Sequence, residues 1–141
     1  MKDIIVDESY PGLVDGGWCW KLAGSLVAEG SITVTLKKWL IVGEGIEAGW
    51  GIKAGSGIEA GEGIKAGWGI EAGLGIKAGS GIEAGLSIVC KKDLSFKFNL
   101  FAGTATWKKT TPEECEVRAA RIEGEVKHGI VKLLSAPQEK L

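Results

Sequence analysis

The chain has 141 residues, with 17 Lys and Arg against 18 Asp and Glu and a net charge of −1. That length suits a single domain spanning 1–141, and the balanced charge leaves no footprint for a nucleic-acid partner. No apolar run approaches the ~20 residues of a membrane span. The start, Met-Lys-Asp-Ile-Ile-Val-Asp, is too short and too acidic for a signal peptide, so a cytoplasmic setting is expected. Cys19, Cys90 and Cys115 form no paired motif, which fits a reduced compartment and gives zinc little support.

Residues 1–21 stand outside the pattern that follows and are expected to form an N-terminal cap. Asp3 to Val6 reads as a short strand, and Tyr10-Pro11-Gly12 and Asp15-Gly16-Gly17 read as turns. Trp18 and Trp20 alternate around Cys19. A cap of this kind covers strand edges that would otherwise pair with other chains.

From Gly43 to Leu86 a six-residue unit, Gly-Ile-Glu/Lys-Ala-Gly-x, repeats without a slip. Ile and Ala sit two apart and face one way, with the charge facing the other. The glycines are expected to supply the φ > 0 conformations of a corner. Three residues of strand bury nothing alone, but stacked coils do, which is the logic of a β-solenoid.

The charges select the winding. Residues 47, 53, 59, 65, 71, 77 and 83 alternate Glu and Lys. Two units per coil would stack like on like. Three units stack Glu47 on Lys65, Lys65 on Glu83, Lys53 on Glu71 and Glu59 on Lys77. Opposite pairs contribute roughly 0.2–1 kcal/mol each, less when fully exposed. The sign of the effect predicts a three-sided coil of about 18 residues, and the same spacing puts Trp50, Trp68 and Leu86 in one corner column.

Counting on in sixes carries the register from Leu22 to Ala102. The Ile position falls on Leu22, Ala28, Val34 and Leu40 upstream and on Ile88, Leu94 and Leu100 downstream. The Ala position falls on Gly24, Gly30, Leu36 and Val42, then on Cys90, Phe96 and Ala102. Residues 22–109 are thus expected to form the solenoid, with Asn99 to Lys109 finishing the stack.

The period then changes. Thr111-Pro112-Glu113-Glu114 has the N-cap, the first-position proline and the acidic first turn of a helix. Cys115, Ala119, Ile122, Val126, Ile130 and Leu133 follow at three- and four-residue spacing. Glu114/Arg118, Arg121/Glu125 and Glu123/Lys127 are i,i+4 pairs. An amphipathic helix over 111–134 is expected. Gly124 and Gly129 weaken it and leave a break near Gly129, or a β-hairpin instead, as the alternatives. Residues 135–141 read as a loose tail.

No catalytic, cofactor or metal site emerges. His128, the only histidine, has no carboxylate or cysteine partner at motif spacing. The Gly-x-Gly runs belong to the repeat and lack the strand-loop-helix setting of a nucleotide site. The candidate protein-binding residues are Trp50, Trp68 and Leu86 on the corner, Leu74 beside them, and Ile122 and Val126 on the helix face.

From Leu22 to Ala102 the glycine-rich repeat resembles bactofilin-type polymer-forming proteins. That resemblance implies a small triangular β-helix, cytosolic and without catalysis. The eighteen-residue period is also similar to that of hexapeptide-repeat acyltransferases, whose coils form three-sided helices that trimerise and bear a loop histidine. His128 lies outside the coils, so that second resemblance brings no activity with it.

The functional expectation is a non-enzymatic protein–protein interaction module that self-associates into a discrete oligomer. The alternatives are a small phage-borne inhibitor of a bacterial defence complex, of the anti-CRISPR kind, and a bactofilin-like filament subunit.

Overall fold

The computed structural model describes residues 2–134, so Met1 and the expected tail at 135–141 lie outside the described residues. The protein is a β-solenoid of short parallel strands. In chain order these are β1 (Ile4–Val6), β2 (Leu13–Asp15), β3 (Cys19–Leu22), β4 (Leu26–Ala28), β5 (Ile32–Val34) and β6 (Trp39–Val42). Eight three-residue strands, β7 to β14, follow at six-residue steps from Ile46–Ala48 to Ile88–Cys90. The chain closes with β15 (Asp93–Ala102), β16 (Glu116–Ala119), β17 (Arg121–His128) and β18 (Ile130–Leu133).

Each coil contributes to three faces. The first face stacks β1, β5, β8, β11, β14, β16 and β18. The second runs through β3, β6, β9 and β12, and the third through β4, β7, β10 and β13. β15 bends round the corner between them, pairing with β12 through Leu94 and with β13 through Leu100. β17 lies on β15 across the same two faces, Ile122 on Leu94 and Val126 on Leu100.

The register confirms the three-strand coil. Ile46, Ile64 and Ile82 align at eighteen-residue steps, and with them Glu47, Lys65 and Glu83. Lys53 aligns with Glu71, and Glu59 with Lys77. None of these pairs closes to an ion pair within 4.0 Å among the described residues, so the ladders act as alternating fields rather than as bridges. The core is the column of isoleucines and alanines inside. Ile58, Ile64, Ile70, Ile76 and Ile82 are at most 1% exposed, and each buried side chain of this size contributes about 1.5–3 kcal/mol.

The repeat glycines are present for a different reason from the one expected. Positive φ occurs at Gly12, Gly17, Gly24, Gly103, Gly124 and Gly129, all outside the repeat. Within it, the first glycine of five Gly-x-Gly corners, Gly49, Gly61, Gly67, Gly73 and Gly79, rides directly over a carbonyl of the coil beneath. A Cβ on Gly67 would run into the carbonyl oxygen of Gly49, and one on Gly73 into that of Gly55. Close backbone approach, not handedness, excludes side chains there.

Counting in sixes fails upstream of β6. Ile32 pairs with Ile52, and Leu26 with Ile46, at twenty-residue steps, while Leu40 pairs with Ile58 at eighteen. Two extra residues therefore sit between β5 and β6. Val34, Ala28 and Leu22 consequently take the small-residue position, opposite Ala54, Ala48 and Val42. The longer corner turns Leu36 into the core, 2% exposed, and lays the Trp39 ring against Gly57 and Gly75. Downstream the count holds through Ala102.

At the N-terminus, β1 joins the first face, and β2 and β3 form an antiparallel hairpin on the second. Tyr10, Leu13 and Trp20 pack onto the core and close this end. Lys38 clamps the hairpin. Its ammonium lies 2.8 Å from the Asp15 carboxylate, 2.9 Å from the Gly17 carbonyl and 4.7 Å above the Trp20 ring. The hydrogen bond from Lys38 holds the Asp15 carboxyl below its ordinary range.

The C-terminal helix expected over 111–134 is absent, and the solenoid continues instead. The helix-start signal works locally. The Thr111 N–H donates to Glu114 Oε1 at 2.9 Å, and the Glu114 N–H donates to Thr111 Oγ1 at 3.4 Å, a capping box. Only one 3-10 turn follows, Glu113–Cys115. Gly124 and Gly129 then adopt φ of +137° and +133°, which no helix accommodates. Val117-Arg118-Ala119 repeats the large-x-small triplet and pairs beneath Ile88 and Val89. The charges read as i,i+4 pairs join at i,i+2 along a strand, Arg118 with Glu116, Arg121 with Glu123 and Lys127 with Glu125. No helix among the described residues is long and apolar enough to cross a membrane.

Candidate functional site

The corner between the third and first faces is a column of backbone hydrogen bonds. The Trp50 N–H donates to the Gly30 carbonyl, Trp68 to Trp50, Leu86 to Trp68, and Gly103 to Leu86, all at 3.0–3.1 Å. Trp50, Trp68 and Leu86 thus share one edge, as the eighteen-residue spacing predicts. The Trp50 and Trp68 rings stack 5.2 Å apart, 6° from parallel.

A third tryptophan joins them. The chain leaves the coil at Gly103, whose φ of +77° suits only glycine, and doubles back along the corner it has just built. The Thr104 and Ala105 N–H groups donate to the carbonyls of Ala84 and Gly85. Trp107 then reaches Trp68, with ring centres 5.9 Å apart and planes tilted by 37°. The loop is tied by the Thr111 capping box and by an ion pair from Lys108 to Glu114. The hydrogen bond from Lys108 lowers the Glu114 carboxyl below its usual value, with the Thr111 N–H adding to the effect.

The stack fixes what the edge can offer. Trp68 is stacked on Trp50 and touched by the tilted Trp107 ring. Trp68 is still 42% exposed, and Trp107 is 55% exposed. The edge is therefore aromatic, with one stacked pair, Trp50 on Trp68, and a third ring tilted against it. Trp107 was missed in the sequence because it lies outside the repeat, in a loop whose return path no period encodes.

The other candidates are placed elsewhere. Leu74 lies on the corner between the first and second faces, in the column after Ser56, and not beside the tryptophans. Ile122 and Val126 stand on β17 over Leu94 and Leu100, half-buried against the core rather than on an open helix face. His128 ends β17. Its Nδ1 donates to the Ala102 carbonyl at 2.6 Å, since a carbonyl only accepts.

Two further features complete the surface. An open groove of about 570 Å³ runs along the third face, between the Glu47/Lys65/Glu83 ladder and Glu62, with Phe98 and Phe101 at its far end. Cys90 is buried in the core, and burial pushes its thiol up to about 11, so it stays protonated and unreactive near neutral pH. No group of three or more His, Cys, Asp or Glu among the described residues is placed to hold a metal ion. Compared with known proteins, the chain matches no family model, no curated protein and no solved structure.

Proposed function

We propose that the chain is a non-enzymatic interaction module of the cytoplasm that docks a protein partner on its tryptophan edge. The observation that carries this reading is the Trp50–Trp68–Trp107 cluster, aromatic, exposed at Trp68 and Trp107 and held from two separate parts of the chain. Rigid aromatic side chains offer large contact area at little cost in conformational entropy, which is why tryptophan dominates binding hot spots. An inhibitor that occludes a larger defence complex would use the same edge. Kinship with bactofilin-type solenoids belongs to this proposal too, and rests on the ~18-residue coil with glycine at its corners.

A filament subunit is the second reading. Among the described residues the C-terminal coil is uncovered, which favours it, while the covered apolar core at the N-terminal end opposes growth beyond one contact.

Site-specific photo-crosslinking in the native cells tests the first reading. The photo-reactive residue p-benzoylphenylalanine replaces Trp68, Trp107 or, as control, Glu71 in the middle of the first face. The expected result is one discrete crosslinked protein from positions 68 and 107 and none from 71. The same products from all three, or none from 68 and 107, would overturn it.

A further inference from the structure

We propose that two copies of the chain pair end to end through their C-terminal coils, forming an isologous dimer that cannot extend into a filament. This surface is separate from the tryptophan edge, so the two readings stand or fall independently.

The two ends of the stack are built differently. At the N-terminal end the inward positions are covered. Val6 is 0% and Leu26 2% exposed beneath Tyr10, Leu13 and Trp20. At the C-terminal end the inward positions of β18 are open. Val131 follows Val117, and Leu133 follows Ala119, in the core columns of the first face, yet they are 47% and 59% exposed. Ile122 and Val126 continue the same cross-section, half-buried, on the other two faces. Among the described residues the core is thus cut across with no cap, and β17 and β18 have no strand on their outer side. Open strand edges over exposed apolar side chains are the surface that pairs with another chain.

The charges on this rim select a second copy, and they select its direction. On the second face β17 reads Arg121-Ile122-Glu123. Laid antiparallel against itself about Ile122, it sets Arg121 opposite Glu123 of the other copy, twice. A twofold axis there brings the first face of one copy against the third face of the other. Placing Val131 against Val126 then sets Lys132 opposite Glu125. Every charged pair across the contact is opposite in sign. The present neighbours of Arg121, Asp93 at 3.0 Å and Glu123 at 3.5 Å, are exposed pairs that hold it weakly and leave it free to pair again. Head-to-tail stacking offers fewer such pairs: β18 would meet the uncharged Ile4-Ile5-Val6 on the first face, β17 would meet the uncharged Leu26-Val27-Ala28 on the third, and on the second the one charge is Asp15, already bonded to Lys38. An isologous contact uses the same patch on both copies, so with the apolar core covered at the other end the assembly stops at two.

Light scattering after size exclusion, over a concentration series, tests this. The expected mass is twice the 14.8 kDa of one chain. Val131→Glu with Leu133→Glu should return the mass to that of one chain while the far-ultraviolet circular dichroism is unchanged. Arg121→Glu alone should weaken the dimer at least about tenfold, and adding Glu123→Arg should restore it. Trp68→Ala should leave the dimer intact. A single-chain mass at every concentration, or a mass that keeps growing, would overturn the proposal. A dimer that ignores the charge swap would overturn the placement of the twofold axis. A single chain that dimerises only after residues 135–141 are removed would assign the open end to that segment instead.

Discussion

Gly67→Ala is expected to destabilise the protein by about 3 kcal/mol, while Gly63→Ala, four residues away, is expected to stabilise it by about 0.4–1 kcal/mol. Both are repeat glycines, and neither has a positive φ. They differ in what lies beneath a methyl group. On Gly67 it meets the carbonyl oxygen of Gly49, a backbone atom that moves only if its whole coil moves. On Gly63 the nearest atom is the Gly81 carbonyl oxygen at 3.4 Å, an ordinary contact. The chain already carries a side chain at the equivalent place, Ser87. With no clash, alanine acts mainly by restricting the unfolded chain. Denaturant unfolding midpoints compare the two directly. Equal losses in both variants would mean that the corners need glycine for its conformational range.

Trp39→Ala is expected to cost about 3 kcal/mol, and it should also change how Gly57 responds to substitution. The Trp39 ring lies against Gly57 and Gly75, covering two successive coils at one corner. A Cβ on Gly57 would enter the ring itself. Gly57→Ala should therefore cost about 1–3 kcal/mol in the native chain and close to nothing once Trp39 is Ala. A double-mutant cycle on unfolding free energies measures the difference. Additive effects would show that the ring is not what excludes a side chain at Gly57.

These two cases mark the boundary of what the sequence discloses. The alternation of Glu and Lys at positions 47 to 83 yields the winding, because only one winding makes every stacked pair opposite. The corner column of Trp50, Trp68 and Leu86 then follows by counting. Counting breaks where a coil changes length without punctuation. Between Val34 and Leu40 the repeat glycines are missing, so nothing marks the two added residues, although Leu26-Val27-Ala28 and Ile32-Thr33-Val34 already show the shifted large-x-small triplets. The C-terminal misreading has a related cause. Ala119, Ile122, Val126 and Leu133 all lie at core positions, but their irregular spacing reflects a strand crossing a corner, with irregular pairing on β15, and it imitates a helical period. Gly124 shows which reading holds, because its left-handed backbone makes room for the Phe96 ring in the coil below. The approach of Trp107 to Trp68 is tertiary, set by a loop that returns along the stack, and no local period carries it.

The most direct test of the account is a pair of cysteines on the outer ladders, with Cys115 replaced by Ser. In a three-strand coil, residues 47 and 65 are neighbours on adjacent parallel strands, about 4.8 Å apart, within the span a disulfide bridges. Residues 47 and 59 lie on different faces. Under mild oxidation, Glu47→Cys with Lys65→Cys should form an intramolecular disulfide, seen by mass spectrometry of the digested protein, and Glu47→Cys with Glu59→Cys should remain reduced. Closure of the 47–59 pair with an open 47–65 pair would contradict the three-strand coil, and with it the alignment that places Trp50, Trp68 and Leu86 on one edge.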